Sequence, residues 1–566
     1  MAAAMIEHLL FLYLRTVLHR SWNELLDATR EPARAQSARL MDILSRNAGA
    51  AFGKEHSFSE IRSVRQFRER VPVRTYEDFE PYIARIRRGE KKVLTDEEPD
   101  LFGRTSGTTR EPKFIPITPS FYEEFSKMQK MWQRKLLEDH RRMAHGKILS
   151  VMSAEINGYS ECGIPCGAMS GHSYRMQYPL TQRMYAAPYE VMCLQDYEAK
   201  YYLALRFALE QNVTTIAALN PSTILLLMKK LNAWLPELVR DIADGGVRRD
   251  LAIPPRLRWR LEDRLKPNRK RSRELEALAA RDKPVKGTDI WKELEVIATW
   301  QGGSLGFFIS RIPTFFPGVP MRDMGLVATE GYFSIPLWSN TPNGLLAVTG
   351  HFFEFFEVDA GGRRKNEPLG AEDVEIGKQY YLVVTTSAGL YRYDIGDIVE
   401  VVDCFNRTPV IIFKQKGGNT VSITGEKLTE IQVTEAMKQA AAASCVPIEG
   451  FVLALRLGEP PDYSLIVETP ERNQRKLCEL LAEFERRLRL KNVEYADKRD
   501  SQRLGEPTLR LLENGCFEQC RKDRVLRGMP DGQYKLPHLT QHVEQFDHFR
   551  YINTVKIDGR NEGLSG

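Results

Sequence analysis

The stretch Gly103–Pro116, GRTSGTTREPKFIP, decides how the rest of this chain is read. Glycine lets a backbone approach a ligand closely, hydroxyl side chains donate hydrogen bonds, and a flanking cation offsets negative charge. Thr105, Ser106, Thr108 and Thr109 supply hydroxyls around Gly107, and Lys113 supplies the cation. The combination suits a loop that holds phosphate. It departs from the G-x-x-x-x-G-K spacing of the P-loop, because three residues separate Gly103 from Gly107 and Thr108 follows. A kinase or GTPase reading therefore loses ground. On its own a Ser/Thr/Gly run equally describes a solvated turn, so its meaning depends on partners elsewhere in the chain.

Three further segments supply candidates. Met324 begins MGLVATEGYFSIPL, in which Glu330 lies between Thr329 and Gly331, ahead of an apolar run with the alternation of a buried strand. A carboxylate there is a candidate Mg²⁺ ligand. Gly389 begins GLYRYDIGDIVEVV, directly after the strand-like Tyr380 to Thr386, which puts Asp397 at a strand and turn junction beside Gly396. An acceptor there can take both hydroxyls of a ribose. Asp531 begins DGQYKLPHL, a loop whose Lys535 can reach a transferring phosphate. Taken singly, Glu330 and Asp397 also suit helix caps or turns, and Lys535 suits a solvated lysine.

Their order changes that reading. Hydroxyl loop, Thr-Glu-Gly, Gly-Asp, a Lys/Gly stretch and a late loop lysine resemble the motif order of the adenylate-forming superfamily. Within it, the chain is similar to the Gretchen Hagen three family of auxin-responsive acyl acid amido synthetases, in a bacterial-style form. TSGTTREPKFIP, GIPCGAMSG from Gly163 to Gly171, ATEGYFSIPL, LYRYDIGDIVEV, SITGEKLTE and GQYKLP carry the likeness, which runs from about Leu40 to Pro537. The resemblance implies that Thr105, Ser106 and Thr109 hold the β- and γ-phosphates of ATP, with Gly107, Thr108 and Thr329 completing that site. It implies Glu330 on Mg²⁺, Asp397 on the ribose, and Lys427 with Lys535 on the α-phosphate. Arg110 stands where many relatives have a small residue, and Leu326 where plant members have a tyrosine near the adenine.

The chemistry agrees with those residue types. A carboxylate attacking the α-phosphate of ATP brings two anions together, which is costly wherever water is excluded. A Mg²⁺ ion and a lysine would stabilise the charge in the transition state while hydroxyls hold the pyrophosphate leaving group in line. No general base is needed, because the attacking carboxylate is already ionised. The product, acyl-AMP, can be attacked by a neutral amine to give an amide and AMP.

A length of 566 residues exceeds a single core and suggests about two to four domains. A net charge of +6 is small beside 81 basic and 75 acidic residues, so the overall balance gives little support to any anionic macromolecular partner. Eight cysteines in so long a chain make no disulfide framework, and the pairs Cys162/Cys166 and Cys516/Cys520 lack a second pair or histidine cluster for metal. The apolar run from Leu9 to Leu14 is far shorter than the ~18 residues of a membrane span. It also lacks the features of a signal peptide and reads as an amphipathic helix on the large domain. A cytoplasmic location is expected. Basic residues of Pro254 to Lys283 alternate with Glu262, Asp263, Glu274 and Glu276, which describes solvated helices joined by Lys266-Pro267-Asn268 rather than a nucleic-acid arm.

Periodicity predicts an α/β protein: a large mixed α/β N-terminal domain of adenylate-forming type over residues 1–413, a hinge at 414–420, and a small mobile α+β domain over 421–566. Strands are expected at Ile148–Ser153, Thr215–Leu219, Glu295–Trp300 and Gly344–Val348, with helices at Phe121–His140, Tyr197–Glu210 and Ser222–Leu231. In the small domain a helix from Leu428, strands at Phe451–Leu455 and Tyr463–Val467, and a helix from Asn473 with a stripe of Leu477, Leu480, Leu481, Phe484 and Leu488 precede a strand near Thr508 and a helix near Phe517. The glycines of Gly163–Gly171 and of Trp300–Phe308, WQGGSLGFF, suit either the walls of an acyl pocket or simple strand turns. The leading function is ATP-dependent joining of a carboxylic acid to an amine, an amino acid being the expected acceptor. The alternatives are transfer to coenzyme A or a carrier thiol, and a non-catalytic nucleotide-binding protein.

Overall fold

The structure is a computed structural model describing residues 16, 18–105, 113–177, 179–359, 364–417, 420–517, 519, 538–541, 543–547 and 549–557. It forms two compact units, the larger ending at Gly417.

The larger unit is built on three main sheets. Strands Lys147–Ser150, Val213–Ala218, Val296–Thr299 and Met321–Arg322 lie side by side in that order, all parallel. Parallel strands require crossovers, supplied here by the helices Tyr197–Ala208 and Pro221–Asp244. The central strand Val296–Thr299 is buried along its whole length, as expected of a sheet covered on both faces. A second sheet orders Lys113–Ile117, Leu101–Thr105, Pro165–Gly167 and Ile156–Tyr159, flanking the hydroxyl loop with its first two strands. The third is a six-stranded antiparallel sheet running Ser334–Ile335, Gly344–Leu346, Thr408–Lys416, Tyr393–Phe405, Gln379–Thr385 and Phe352–Glu357.

Local sequence explains several boundaries. Helix Pro119–Asp139 starts at Pro119, whose missing N–H costs nothing there, behind Thr118, whose hydroxyl accepts the Phe121 N–H at 3.3 Å. Its buried stripe of Phe121, Phe125, Met128 and Met131 recurs at helical spacing. The helix expected to end at Leu231 continues to Asp244 through Pro236, because Leu235, Leu238 and Ile242 extend its apolar face into the core. The strand expected to reach Ser153 stops at Ser150. Lys414–Lys416, expected in a hinge, complete strand Thr408–Lys416 and pair with Asp397 and its neighbours.

A buried ion cluster ties the N-terminal helices to the six-stranded sheet. Glu354, 1% exposed, takes two hydrogen bonds from Arg392 at 2.8 and 3.0 Å and one from Arg68 at 2.9 Å. Arg392 adopts a left-handed φ of 49° and also donates to the carbonyl of Val71 at 2.8 Å. Two arginines distant in sequence thus compensate one buried carboxylate where water cannot.

The smaller unit has its own sheet, Leu539–Thr540, Gly450–Arg456, Asp462–Glu468, Thr508–Leu512 and Tyr551–Val555 in that order. Helices Glu430–Ser444 and Gln474–Lys491 pack together, the second burying the predicted leucine and phenylalanine stripe. Chain continues as helix at Cys516–Phe517, where a helix was expected.

Removing Arg392 takes two of three hydrogen bonds from the buried Glu354 carboxylate and leaves it with Arg68 alone. Arg392→Met is expected to lower the stability of the larger unit by about 3–5 kcal/mol, read by urea denaturation; a loss under ~1 kcal/mol would show that the cluster is structurally dispensable.

Candidate active site

Glu330 occupies the tip of a hairpin in which Ala328 pairs with Gly331 and Val327 with Tyr332. Only Thr329 and Glu330 connect the strands, so the ladder fixes where both side chains emerge. The apolar run beyond them is not one strand as expected. It breaks at Phe333, whose N–H donates to Leu326 and whose carbonyl accepts from Ala347, before Ser334–Ile335 joins a different sheet.

Two glycines let neighbours close on the hairpin. A Cβ at Gly103 would stand 2.1 Å from Thr329 Cγ2, so the strand leading into the hydroxyl loop lies directly against the residue before Glu330. A Cβ at Gly331 would stand 2.7 Å from His351 Nε2. That nitrogen accepts the Tyr332 N–H at 3.3 Å. His351 is enclosed by Phe121, Phe333 and Phe353, and burial pushes its pKa down to about 3, which keeps the ring neutral and able to accept.

The Glu330 side chain is 8% exposed and has no hydrogen-bond or ion-pair partner among the described residues. Two phenols feel its charge. Burial pushes Tyr76 up to about 12, with Glu330 adding to the shift, and burial pushes Tyr393 up as well, with Glu330 the foremost neighbouring charge. Tyr76 accepts the Phe114 N–H at 2.8 Å, and Lys113 Nζ stands 5.0 Å above its ring. The first residues after the loop are thereby held by an aromatic residue that Glu330 also reaches electrostatically.

Asp397 does not sit at a strand end as expected. It lies within Tyr393–Phe405, opposite Lys416, because Gly396 at φ 73° bends the strand without ending it. Asp394 accepts the Gly396 N–H at 2.9 Å and steadies that bend. Asp397 is 4% exposed and paired with Lys416, whose Nζ also donates to the Ile395 carbonyl at 2.8 Å.

A second buried carboxylate was missed from sequence. Asp323, 1% exposed, accepts the N–H of Gln301 and the N–H of Gly325, both at 2.6 Å. It joins the loops that follow two adjacent parallel strands, which is where open α/β sheets form their ligand crevices. Burial pushes its pKa up to about 7, against which the two N–H donors work. A lone acid in the apolar run VPMRDMGLV was the available signal. Gly302 and Gly303 close on Phe413, and Gly167 and Gly171 close on the backbone of Glu155.

In the smaller unit Lys427 adopts a left-handed φ of 45° just before strand Leu428–Thr429. Buried Glu426 shapes this turn, accepting from Ile423 N–H, Thr424 N–H, Thr424 Oγ1 and Tyr463 OH at 3.0, 2.8, 2.9 and 2.5 Å. Asn492 closes it by donating to the Glu426 carbonyl at 2.7 Å. Ser106, Gly107, Thr108, Thr109 and Lys535, with the side chain of Thr105, lie outside the described residues.

Two substitutions test these contacts. Gly103→Ala drives a methyl into Thr329 and is expected to slow ATP-dependent turnover on the order of tenfold or more, with Thr329→Ser in the same chain restoring most of it; no recovery in the double variant would refute the contact. Asp323 has a folded pKa above its unfolded value near 3.8, so its protonated form is the one folding favours. The stability it contributes is complete below about pH 4 and lost as pH rises through about 7, up to about 4 kcal/mol in all. Asp323→Asn should therefore flatten the decline in stability over that window, measured by denaturation at several pH values; an unchanged slope would mean the carboxyl does not titrate there.

Family models match across this chain: a GH3 family N-terminal domain over residues 21–321, a GH3 family central domain over 344–416 and a GH3 family C-terminal domain over 431–544. The indole-3-acetic acid-amido synthetase GH3.4 of Arabidopsis thaliana is 27% identical over 547 residues, covering 90% of each chain. The jasmonoyl-L-amino acid synthetase JAR6 of Nicotiana attenuata is 24% identical over 542 residues, covering 91% of this chain and 92% of that one. The solved GH3.15 acyl acid amido synthetase superposes with a TM-score of 0.64 at 22% identity, covering 94% of this chain and 96% of that one, which shows a shared fold. With its N-terminal, central and C-terminal segments all matched in order, the chain belongs to the GH3 family.

Proposed function

We propose that this protein is an acyl acid amido synthetase that activates a carboxylic acid with ATP and transfers the acyl group to an amine, an amino acid being the acceptor class. The observation that carries the reading is the packing of Thr329 on Gly103, which sets an almost buried carboxylate, without a cation among the described residues, beside strand Leu101–Thr105. The names of the similar enzymes, an indole-3-acetic acid-amido synthetase and a jasmonoyl-L-amino acid synthetase, support the substrate classes.

Glu330 fits a divalent cation. Among the described residues it lacks a cation of its own, and no cluster of three or more His, Cys, Asp or Glu surrounds it. One carboxylate with substrate phosphates as the remaining ligands is the usual arrangement for Mg²⁺. Bound there, the ion would neutralise charge on the phosphate oxygens. Thr105, Ser106, Gly107, Thr108 and Thr109 would hold the outer phosphates through hydroxyl and backbone donors. Asp397 would accept from the ribose while sharing its carboxylate with Lys416. Lys427 and Lys535 would stabilise charge developing on the α-phosphate. The bond from the acid oxygen to phosphorus forms as pyrophosphate departs. In the second step the amine nitrogen bonds to the acyl carbon, AMP leaves, and the nitrogen loses its proton.

We assign a large domain over residues 1–413, a hinge at 414–420 and a small mobile domain over 421–566, which would let the lysines serve the first step and withdraw for the second. The free state of the seven described cysteines supports a reducing, cytoplasmic location, and among the described residues no helix is long and apolar enough to cross a membrane.

Mass spectrometry of the purified protein with ATP, Mg²⁺, pooled carboxylic acids and either pooled amino acids or coenzyme A tests the reading. A product equal to acid plus amino acid minus water, with AMP, is expected; a thioester in its place would overturn it. Lys535→Ala should abolish acyl-adenylate formation while leaving ATP binding largely intact, and equal loss of both would remove the role assigned to that lysine.

A further inference from the structure

The larger unit contains a cavity of about 980 Å³ that none of the assigned chemistry uses. It opens between the segment Tyr174–Glu190, the end of helix Tyr197–Ala208 and the turn Arg264–Asn268. Its position separates it from the candidate active site. Met184 and Ala186 hydrogen-bond to Ile148 on the outer edge of the parallel sheet, and Glu210 and Gln211 immediately precede strand Val213–Ala218. The cavity thus lies where those strands begin and at their edge, whereas Gln301 and Asp323 follow the strands' far ends.

One side of the cavity is aromatic. Tyr174 stacks on Tyr189 with centroids 4.8 Å apart at 9°, and Tyr185 meets Tyr174 edge-on at 4.8 Å. The rim is cationic. Of its four basic residues, Arg264 pairs with Glu190 and Arg175 with Glu155. Arg183 and Lys266 have no anionic partner among the described residues. The other rim carboxylate, Glu210, is already neutralised by buried Arg206 and hydrogen-bonded by Asn268 at 2.9 Å. The lining therefore combines a planar apolar surface with surplus positive charge, a combination that recognises a small organic anion with a flat body.

The same walls lead to Gly103 and Thr329. Tyr189 OH accepts the N–H of Glu155 at 2.8 Å, and Arg175 Nη1 meets its carboxylate at 2.5 Å. The Glu155 carbonyl accepts the Ala168 N–H at 3.0 Å and lies so close to Gly167 that a Cβ there would stand 1.6 Å away. Gly167 pairs across the sheet with Gly103, the residue packed on Thr329.

We propose that this cavity is an effector site for a small planar organic anion, a carboxylate or phosphate ester, whose binding draws Arg175 from Glu155 and slows adenylation. Binding itself is independent of the proposed activity, and only the effect on rate rests on that reading. The test uses the full-length protein with 1-naphthoate and phenyl phosphate as probes, in calorimetric titrations and in assays of pyrophosphate release. At least one probe is expected to bind with one-to-one stoichiometry, with affinity reduced about tenfold or more in Arg183→Glu/Lys266→Glu and unchanged in Glu330→Gln. At saturation it should lower the rate at least twofold in the wild type, and Tyr189→Phe should keep binding while losing most of that response. Absence of binding by both probes would overturn the site. So would binding without a rate change, or inhibition that persists undiminished in Arg183→Glu/Lys266→Glu, which would mark the probe as a competitor at the catalytic site.

Discussion

Glu330 presents a carboxylate at 8% exposure with no cation of its own among the described residues, and the surrounding elements are organised to hold it there. Leaving a carboxylate in such a position is unfavourable unless something compensates it. Elsewhere in the larger unit the fold does compensate. Glu354 lies between Arg68 and Arg392, Arg322 is paired with Asp139, and Glu124 with Arg39. Glu330 differs from these, and in the function we propose its compensation comes with the substrate. The hairpin, the glycines at Gly103 and Gly331, and the neutral ring of His351 are the scaffold that fixes it meanwhile.

Asp323 solves the same problem differently. Among the described residues it has no cation either, yet two backbone N–H groups face it and its pKa rises toward neutrality. The result joins the loops after strands Val296–Thr299 and Met321–Arg322 without placing a permanent ion pair beside the site. In the smaller unit Glu426 organises the turn before Lys427 with four donors, one of them the buried phenol of Tyr463. Both units thus use an interior acid as the internal frame of a loop.

Much of this was legible in the chain. The helix at Gln474–Lys491 buries the stripe its spacing announced, the parallel strands fall within a few residues of their apolar runs, and the motif order led to the family. The errors are instructive. Gly396 reads as a strand end because glycine commonly ends one, but the hydrogen bonds of Tyr393–Phe405 to Thr408–Lys416 carry the chain through it. Pairing partners lie far away in sequence, and local propensity contains no term for them.

The sequence by itself determined which chemical groups are present, their order, and the periodicities that make helices and strands, because these follow from backbone sterics and from the side chains next to one another. Only the tertiary structure decided that Thr329 rests on Gly103, that Asp323 rather than a cation bridges two loops, that Asp397 meets Lys416, and that Arg183 and Lys266 rim one cavity. These are encounters between segments separated by tens to hundreds of residues. Their free energies depend on distance, burial and local dielectric, none of which exists until the chain has folded.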